Sequence, residues 1–314
     1  MVEELKVVKK VEVTTVIDNY ADLIISGRED TVRRTLFKEG QVNTPLLAEH
    51  GLSLFIQVYH GERVFRVLLD TGLTETGTLY NMAHLDLPLD KTDYLVLSHG
   101  HFDHFGALYK VYGDGIVPPT APFLCHPWAF YQRGVRRDGR LFPFPRLDRD
   151  KLKGMGVRIE EKEGPTLLKD FLLVTGQIPR ETNFEIGFPM GYVEIGGEVQ
   201  QDALLDDQAL VAHVKGKGLV VISGCGHSGI INTVNYAKKL TGVEKIYAVI
   251  GGFHLSGPVY EPYIGRTVEE MKALDPTLLV PTHCTGFEAE MTFAREMPHA
   301  FVLNTVGTTF VIGE

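Results

Sequence analysis

Residues 99–104 read HGHFDH, placing His99, His101, Asp103 and His104 within six positions of a chain that has twelve histidines in 314 residues. Neutral imidazole and carboxylate are the ligands that borderline first-row ions favour, zinc ahead of manganese and iron. Three more histidines share one setting. His227 follows the apolar run GLVVIS, His254 follows KIYAVI, and His283 follows TLLVP. Each run is short, rich in branched apolar residues and bounded by glycine or threonine, which predicts a buried strand. Loops at the carboxyl ends of such strands gather on one rim of an open sheet, so the distant histidines are expected to converge with the HGHFDH cluster.

Seven candidate ligands exceed the three protein ligands of a single catalytic zinc and point to two divalent ions. Alternation along an extended segment lets His99 and His101 reach one ion with His227, while Asp103, His104 and His283 turn to the other. Such a pair lowers the pKa of bound water to about 7 and polarises the bond under attack. Asp103 and His254 are the candidate catalytic groups.

The elements that must position these residues are readable on either side. VEVTTVIDN (11–19) reads as a strand, and SLFIQVYHGERVFRVLLDTG (53–72) as a hairpin turning at His60-Gly61. TLYNMAHLDL (78–87) has helical spacing, and DYLVLS (93–98) is a short buried strand leading directly into the cluster. IINTVNYAKKL (230–240) reads as a helix between two of the later strands. From about 112 to 200 the texture changes to Pro, Arg and Phe with little periodicity, which predicts an insertion or cap on a domain spanning 1–314.

Composition narrows the function classes. A chain with 44% hydrophobic residues can bury a large core, and net charge −9 with no long basic block argues against nucleic acid as a partner. No stretch approaches the roughly 20 apolar residues of a membrane span. The start, MVEELKVVKKVEV, lacks the apolar core of a signal peptide, so a cytoplasmic protein without a membrane partner is expected. Cys125, Cys225 and Cys284 are odd in number and widely spaced, which does not read as a disulfide framework.

HGHFDH matches the His-x-His-x-Asp-His signature of the metallo-β-lactamase superfamily, and LLDTG (68–72), GCGH (224–227) and PTH (281–283) fall where its other motifs belong. The resemblance implies an α+β fold, a four-layer αβ/βα sandwich with the metals at one edge between two sheets. It also implies that Asp70 orients the ligand loop from behind without binding metal. Within the superfamily, VTGQIPRETNFE (174–185), DDQAL (206–210), SGCGHSGIINTV (223–234) and GGFHL (251–255) resemble the branch similar to the dihydropterin ribofuranosyl-aminobenzene phosphate synthase of methanopterin biosynthesis. Flavodiiron-type relatives carry Glu where this chain has His101, which disfavours electron transfer. No second processing domain of the RNA-cleaving members is seen.

Three readings follow: a metal-hydroxide hydrolase of an ester, lactone or phosphoester; a pterin-linked condensing transferase; and a metal- or ligand-binding protein without turnover. The hydrolase leads. The expected substrate is a small anion bearing a phosphate or a pterin. In the segment 131–150, YQRGVRRDGRLFPFPRLDRD, Arg133 and Arg136 are candidate anion clamps beside Phe142 and Phe144, and Arg180 is a third. The competing reading pairs these arginines with Asp138, Asp148 and Asp150.

One position departs from the superfamily pattern. Many relatives bridge the two ions with an aspartate at the end of the strand that is KIYAVI here, and this chain offers GGFHL instead. His254 cannot bridge as a carboxylate does, so the ions are expected to be joined mainly by water or hydroxide. Three roles for His254 stay open: ligand of one ion, acid/base group, or structural residue.

Overall fold

The computed structural model describes residues 5–28, 30–35, 37–38, 41–42 and 44–314; the first four residues of the start, MVEE, lie outside the described residues. Two large sheets face each other. The first has eight strands in the order Ile159–Glu161, Phe123–Cys125, Tyr94–Val96, Arg63–Leu69, Ser53–His60, Lys10–Ile17, Thr309–Gly313 and Val32–Arg33. The second has seven, with the path Thr166–Leu168, Leu172–Val174, Ala209–Val214, Gly218–Ser223, Ile246–Gly252 and Leu278–Thr282, and Val7–Val8 added beside Ala209–Val214.

Alternation along the strands decides what each face buries. Val11, Val13, Ile56, Val67, Leu69 and Val96 from the first sheet meet Leu210, Ala212, Val220, Ile222, Ile250 and Val280 from the second in a central core. The opposite faces are covered by helices. Glu75–His84 and Leu108–Gly113 bury Met82, Leu108 and Val111 against Phe55, Leu68 and Leu95. On the other side Ile230–Thr241, Ile264–Leu274 and Phe287–Glu296 bury Val234, Met271 and Phe293 against Val221 and Val249. The result is the four-layer αβ/βα sandwich.

The hairpin turn falls where expected, with His60 paired to Arg63 across Gly61-Glu62, and Gly61 takes the positive φ of 59° that such a turn requires. Tyr94–Val96 runs parallel to Arg63–Leu69, and Gly218–Ser223, Ile246–Gly252 and Leu278–Thr282 run parallel to one another. Their carboxyl ends therefore open at a shared edge, one strand end per candidate ligand loop.

The stretch 112–200 is divided rather than held as one insertion. Phe123–Cys125 and Ile159–Glu161 extend the first sheet, and Thr166–Leu168 with Leu172–Val174 extend the second. What stands apart is a four-stranded antiparallel sheet of Arg140–Pro143, Gln132–Arg137, Gly191–Ile195 and Glu198–Gln201. The weak periodicity has a physical reason: the strands are short and run from wholly buried, as Phe123–Cys125 and Leu172–Val174, to wholly exposed, as Arg140–Pro143 and Glu198–Gln201. No helix of the described residues is long and apolar enough to cross a membrane.

Candidate metal centre

The loop after Tyr94–Val96 carries His99, His101, Asp103 and His104, all buried. Asp70, at the end of Arg63–Leu69, holds that loop. Its carboxylate accepts from the Ser98 amide at 2.7 Å, the Ser98 hydroxyl at 2.7 Å and His104 Nδ1 at 2.6 Å. This fixes the His104 proton on Nδ1 and turns Nε2 toward the rim. Asp70 itself sits at φ 60°, a conformation costly for a non-glycine residue and maintained by these bonds.

His99 places Nδ1 3.0 Å from the Ser98 hydroxyl, and its buried Nε2 has no hydrogen-bond partner. His101 Nδ1 lies 3.2 Å from His227 Nε2. One ligand atom each from His99, His101 and His227 falls within 4.8 Å of the others. Across the rim, Asp103 Oδ2 is 3.8 Å from His104 Nε2 and 3.3 Å from His283 Nε2. His283 sets its Nδ1 3.3 Å from Asn19 Oδ1. The structure thus gathers His99, His101 and His227 into one group and sets Asp103 within 4 Å of both His104 and His283. His254, at φ 47°, sets its ring 4.0 Å from that of His227, and neither of its nitrogens has a partner.

Electrostatics suit divalent ions. Burial, reinforced by neighbouring imidazoles and Arg133, drives His99 and His227 well below their usual range, and burial with Arg133 takes His101 down to about 3. Neutral rings with free lone pairs are the form that binds metal. Burial alone would raise the Asp103 carboxyl, but His104, His283 and His101 outweigh it and hold it below the carboxylate range. His283 is pushed up to about 9, burial being overridden by Cys284, Asp103 and Asp18. Buried ring nitrogens without a hydrogen-bond partner on His99, His101, His227, His254 and His283 form a donor set that fits a divalent metal.

Several residues at this centre were not singled out from sequence. Cys225 Sγ lies 3.1 Å from His104 Nε2, and Cys284 Sγ donates to the Cys225 carbonyl at 3.3 Å. His50 Nε2 stands 3.5 Å from Asp103 Oδ2. The signal for the cysteines was adjacency, in GCGH and THC; His50 gave none. The DDQ of 206–208 clamps the ligand loops: Asp206 accepts from the Gly100 amide at 2.7 Å, Asp207 from the Ser228 amide at 2.7 Å, and Gln208 donates to the carbonyls of Leu97 and Ser98.

Arg133 and Arg136 fall elsewhere than an anion clamp requires, whereas Arg180 stays beside the centre. Arg133 is 1% exposed and spends its fork on Asp206 at 3.0–3.2 Å and on the Trp128 carbonyl, so it braces the ligand loop through Asp206. Arg136 is exposed on the four-stranded sheet, and Arg180 donates to the His227 carbonyl at 3.3 Å. What that accessory region does place at the centre is aromatic. The rings of Phe144 and Phe188 stand 5.5 and 5.4 Å from that of His101. They line an opening of about 520 Å³ with His50, His101, His254 and Phe287.

A model of the metallo-β-lactamase superfamily matches residues 48–283. The 7,8-dihydropterin-6-methyl-4-(β-D-ribofuranosyl)-aminobenzene-5'-phosphate synthase of Methanocaldococcus jannaschii is 33% identical over 285 residues, covering 88% of this chain and 95% of that protein. An uncharacterized protein of the same organism is 33% identical over 249 residues, 77% of this chain and 86% of its own. Among solved structures, a metal-dependent hydrolase of the β-lactamase superfamily superposes with a TM-score of 0.74 at 24% identity, covering 97% of this chain and all of that one. With the five motif loops at one sandwich edge and a family match across most of its length, this chain belongs to the metallo-β-lactamase superfamily.

Proposed function

We propose that this protein is a two-metal enzyme acting on a small phosphate-bearing substrate, and that the substrate is a reduced pterin whose methylene carbon is passed to an aromatic amine. The observation that carries this reading is the 33% identity to the pterin-linked synthase across 95% of that relative's length. Metals held by His99, His101 and His227, and by Asp103, His104 and His283, would neutralise and polarise a departing diphosphate. In the step, the amine nitrogen forms a bond to the methylene carbon of a pterin diphosphate, the carbon–oxygen bond to the diphosphate breaks, and the diphosphate leaves with the electron pair. The amine must then lose a proton. His254, with both ring nitrogens unpartnered at the edge of the opening, is placed to take it.

A second cavity, of about 420 Å³, adjoins the opening and shares Asn19, His283, Gly286 and Phe287 with it. Tyr20, Phe287, Met291 and Phe301 supply apolar walls, and Glu290 faces them without a hydrogen-bond or ion-pair partner among the described residues. A flat heterocycle with N–H donors on one edge suits such a space, which lies within the usual range for small-molecule sites.

Hydrolysis of an ester, lactone or phosphoester is the second reading: hydroxide supplied by the metals would attack the carbonyl carbon or the phosphorus, and no amine would be needed. The zinc-loaded protein, given a reduced pterin diphosphate with and without an arylamine, separates them. Diphosphate release that requires the amine supports condensation; equal release without it supports hydrolysis. Turnover only of simple esters or phosphodiesters overturns the pterin assignment. No turnover of any of these, with tight capture of the pterin, makes the protein a binder.

A further inference from the structure

The strand Ile246–Gly252 is followed by Phe253, which is buried in the helix-side core, and then by His254, so no carboxylate reaches the rim directly from that strand end. Sulfur stands in the middle instead. Cys225 Sγ is 3.1 Å from His104 Nε2. It lies within 4.8 Å of ligand atoms of His99 and His104, of His227 and His254, and of His283 and Cys284. Among the described residues it joins more of these ligand groups than any other. The backbone is shaped for this: Gly226 takes φ 68°, and a Cβ at Gly224 would collide with the Ser98 side chain, so only glycines let the chain bend there and turn residue 225 inward.

We propose that Cys225 is a ligand of the metal centre and that its thiolate bridges the two ions, in the place a carboxylate takes in many relatives. The proposal rests on the two-metal reading above. Zinc–sulfur bonds of about 2.3 Å and zinc–nitrogen bonds of about 2.0–2.1 Å at a tetrahedral angle put sulfur and nitrogen about 3.6 Å apart. The observed 3.1 Å to His104 is close to that separation, and the 4.8 Å limit on the other pairs contains it. Charge argues the same way. Two divalent ions among neutral imidazoles would be offset by Asp103 alone, and a coordinated thiol gives up its proton and adds a second negative charge. Cys284 is less central, since its sulfur joins one such group, with Cys225 and His283, and otherwise contacts the Cys225 carbonyl at 3.3 Å. A central thiolate also biases the site toward zinc and iron and against magnesium or calcium.

The test reads the metal itself. X-ray absorption at the zinc edge of the fully loaded wild-type protein should show sulfur in the first shell of the zinc. Titration with cobalt(II) should give a sulfur-to-cobalt charge-transfer band that rises through two equivalents, with magnetic coupling between the two ions. Cys225→Ser should lose the band and the coupling and weaken metal binding by about 10-fold or more, while Cys284→Ser keeps both. First-shell nitrogen and oxygen alone in the wild type would overturn the proposal even if Cys225→Ser failed to fold. A band that saturates at one equivalent would overturn the bridge, and a band that disappears in Cys284→Ser but survives in Cys225→Ser would overturn the assignment. Failure to bind any metal would instead sink the two-metal reading itself.

Discussion

The two sheets equip the rim in different ways. The first supplies His99, His101, Asp103 and His104 from one loop after one strand, and that loop is gripped on its sheet side by Asp70 and from the second sheet by Asp206 and Gln208. The second sheet supplies His227, His254 and His283 from three loops after three strands, with Asp207 gripping the Ser228 amide and Asp18 the His283 amide at 3.0 Å. One half is a local cluster whose geometry is set by braces; the other is assembled by the parallel register of the sheet. Local clusters tolerate change poorly in the loop and in its braces, whereas a ligand delivered by its own strand is lost singly.

The largest effect should follow from cutting into the local cluster. His101→Ala removes one of the three ring ligands of its trio and should abolish metal at that position together with nearly all turnover, read by metal analysis and steady-state rates. Full metal load with wild-type turnover would break the comparison. Next is the brace. Arg133→Ala leaves the buried Asp206 and Asp202 carboxylates uncompensated and should cost about 3–5 kcal/mol, seen as a lower denaturant midpoint, while Arg133→Lys, which keeps a cation beside both, should cost less. Below that, Asp70→Asn keeps the shape but cannot hold the His104 tautomer, and metal affinity should fall about 10–100-fold in a competition titration with the fold intact.

His254→Ala probes the strand-delivered half. Loss of one metal equivalent would make it a ligand, and full metal with one limb of the pH–rate profile gone would make it the proton acceptor. No change in metal, rate or profile would make it a bystander. The smallest effect belongs to Glu290, whose carboxyl burial, with Asp18 and Cys284 nearby, pushes up to about 8. A folded pKa above the unfolded value of about 4.3 favours the protonated form, so its contribution is present below pH 4 and is lost as pH rises through 8. Glu290→Gln should flatten that part of the stability profile and raise KM for a pterin ligand several-fold with kcat nearly unchanged.

How much of this was legible in the sequence follows the same division. HGHFDH names its residues by type and spacing, and apolar runs followed by His227, His254 and His283 reveal both the strands and their shared edge. Arg133 misled because a guanidinium among aromatics reads the same in an open clamp as in a buried ion pair, and its partner Asp206 is 73 positions away. Cys225 was overlooked although it stands two residues before His227, because a thiol between glycines gains meaning only once the histidines of the other loops are in place around it. The stretch 112–200 was opaque for another reason: strands of three or four residues that are buried throughout or exposed throughout leave no alternation to read.

The four-stranded accessory sheet does two jobs at once. Phe144 and Phe188, at its margins, roof the opening over His101, while Arg133 within it anchors the backbone between His99 and His101 through Asp206. Selectivity for a guest and retention of ions in the proposed centre would therefore be inherited together. A lineage that exchanged this sheet to accept a different molecule would also release the strut under its metals, so new specificities on this scaffold should arise by point changes at the aromatic roof more readily than by replacement of the segment.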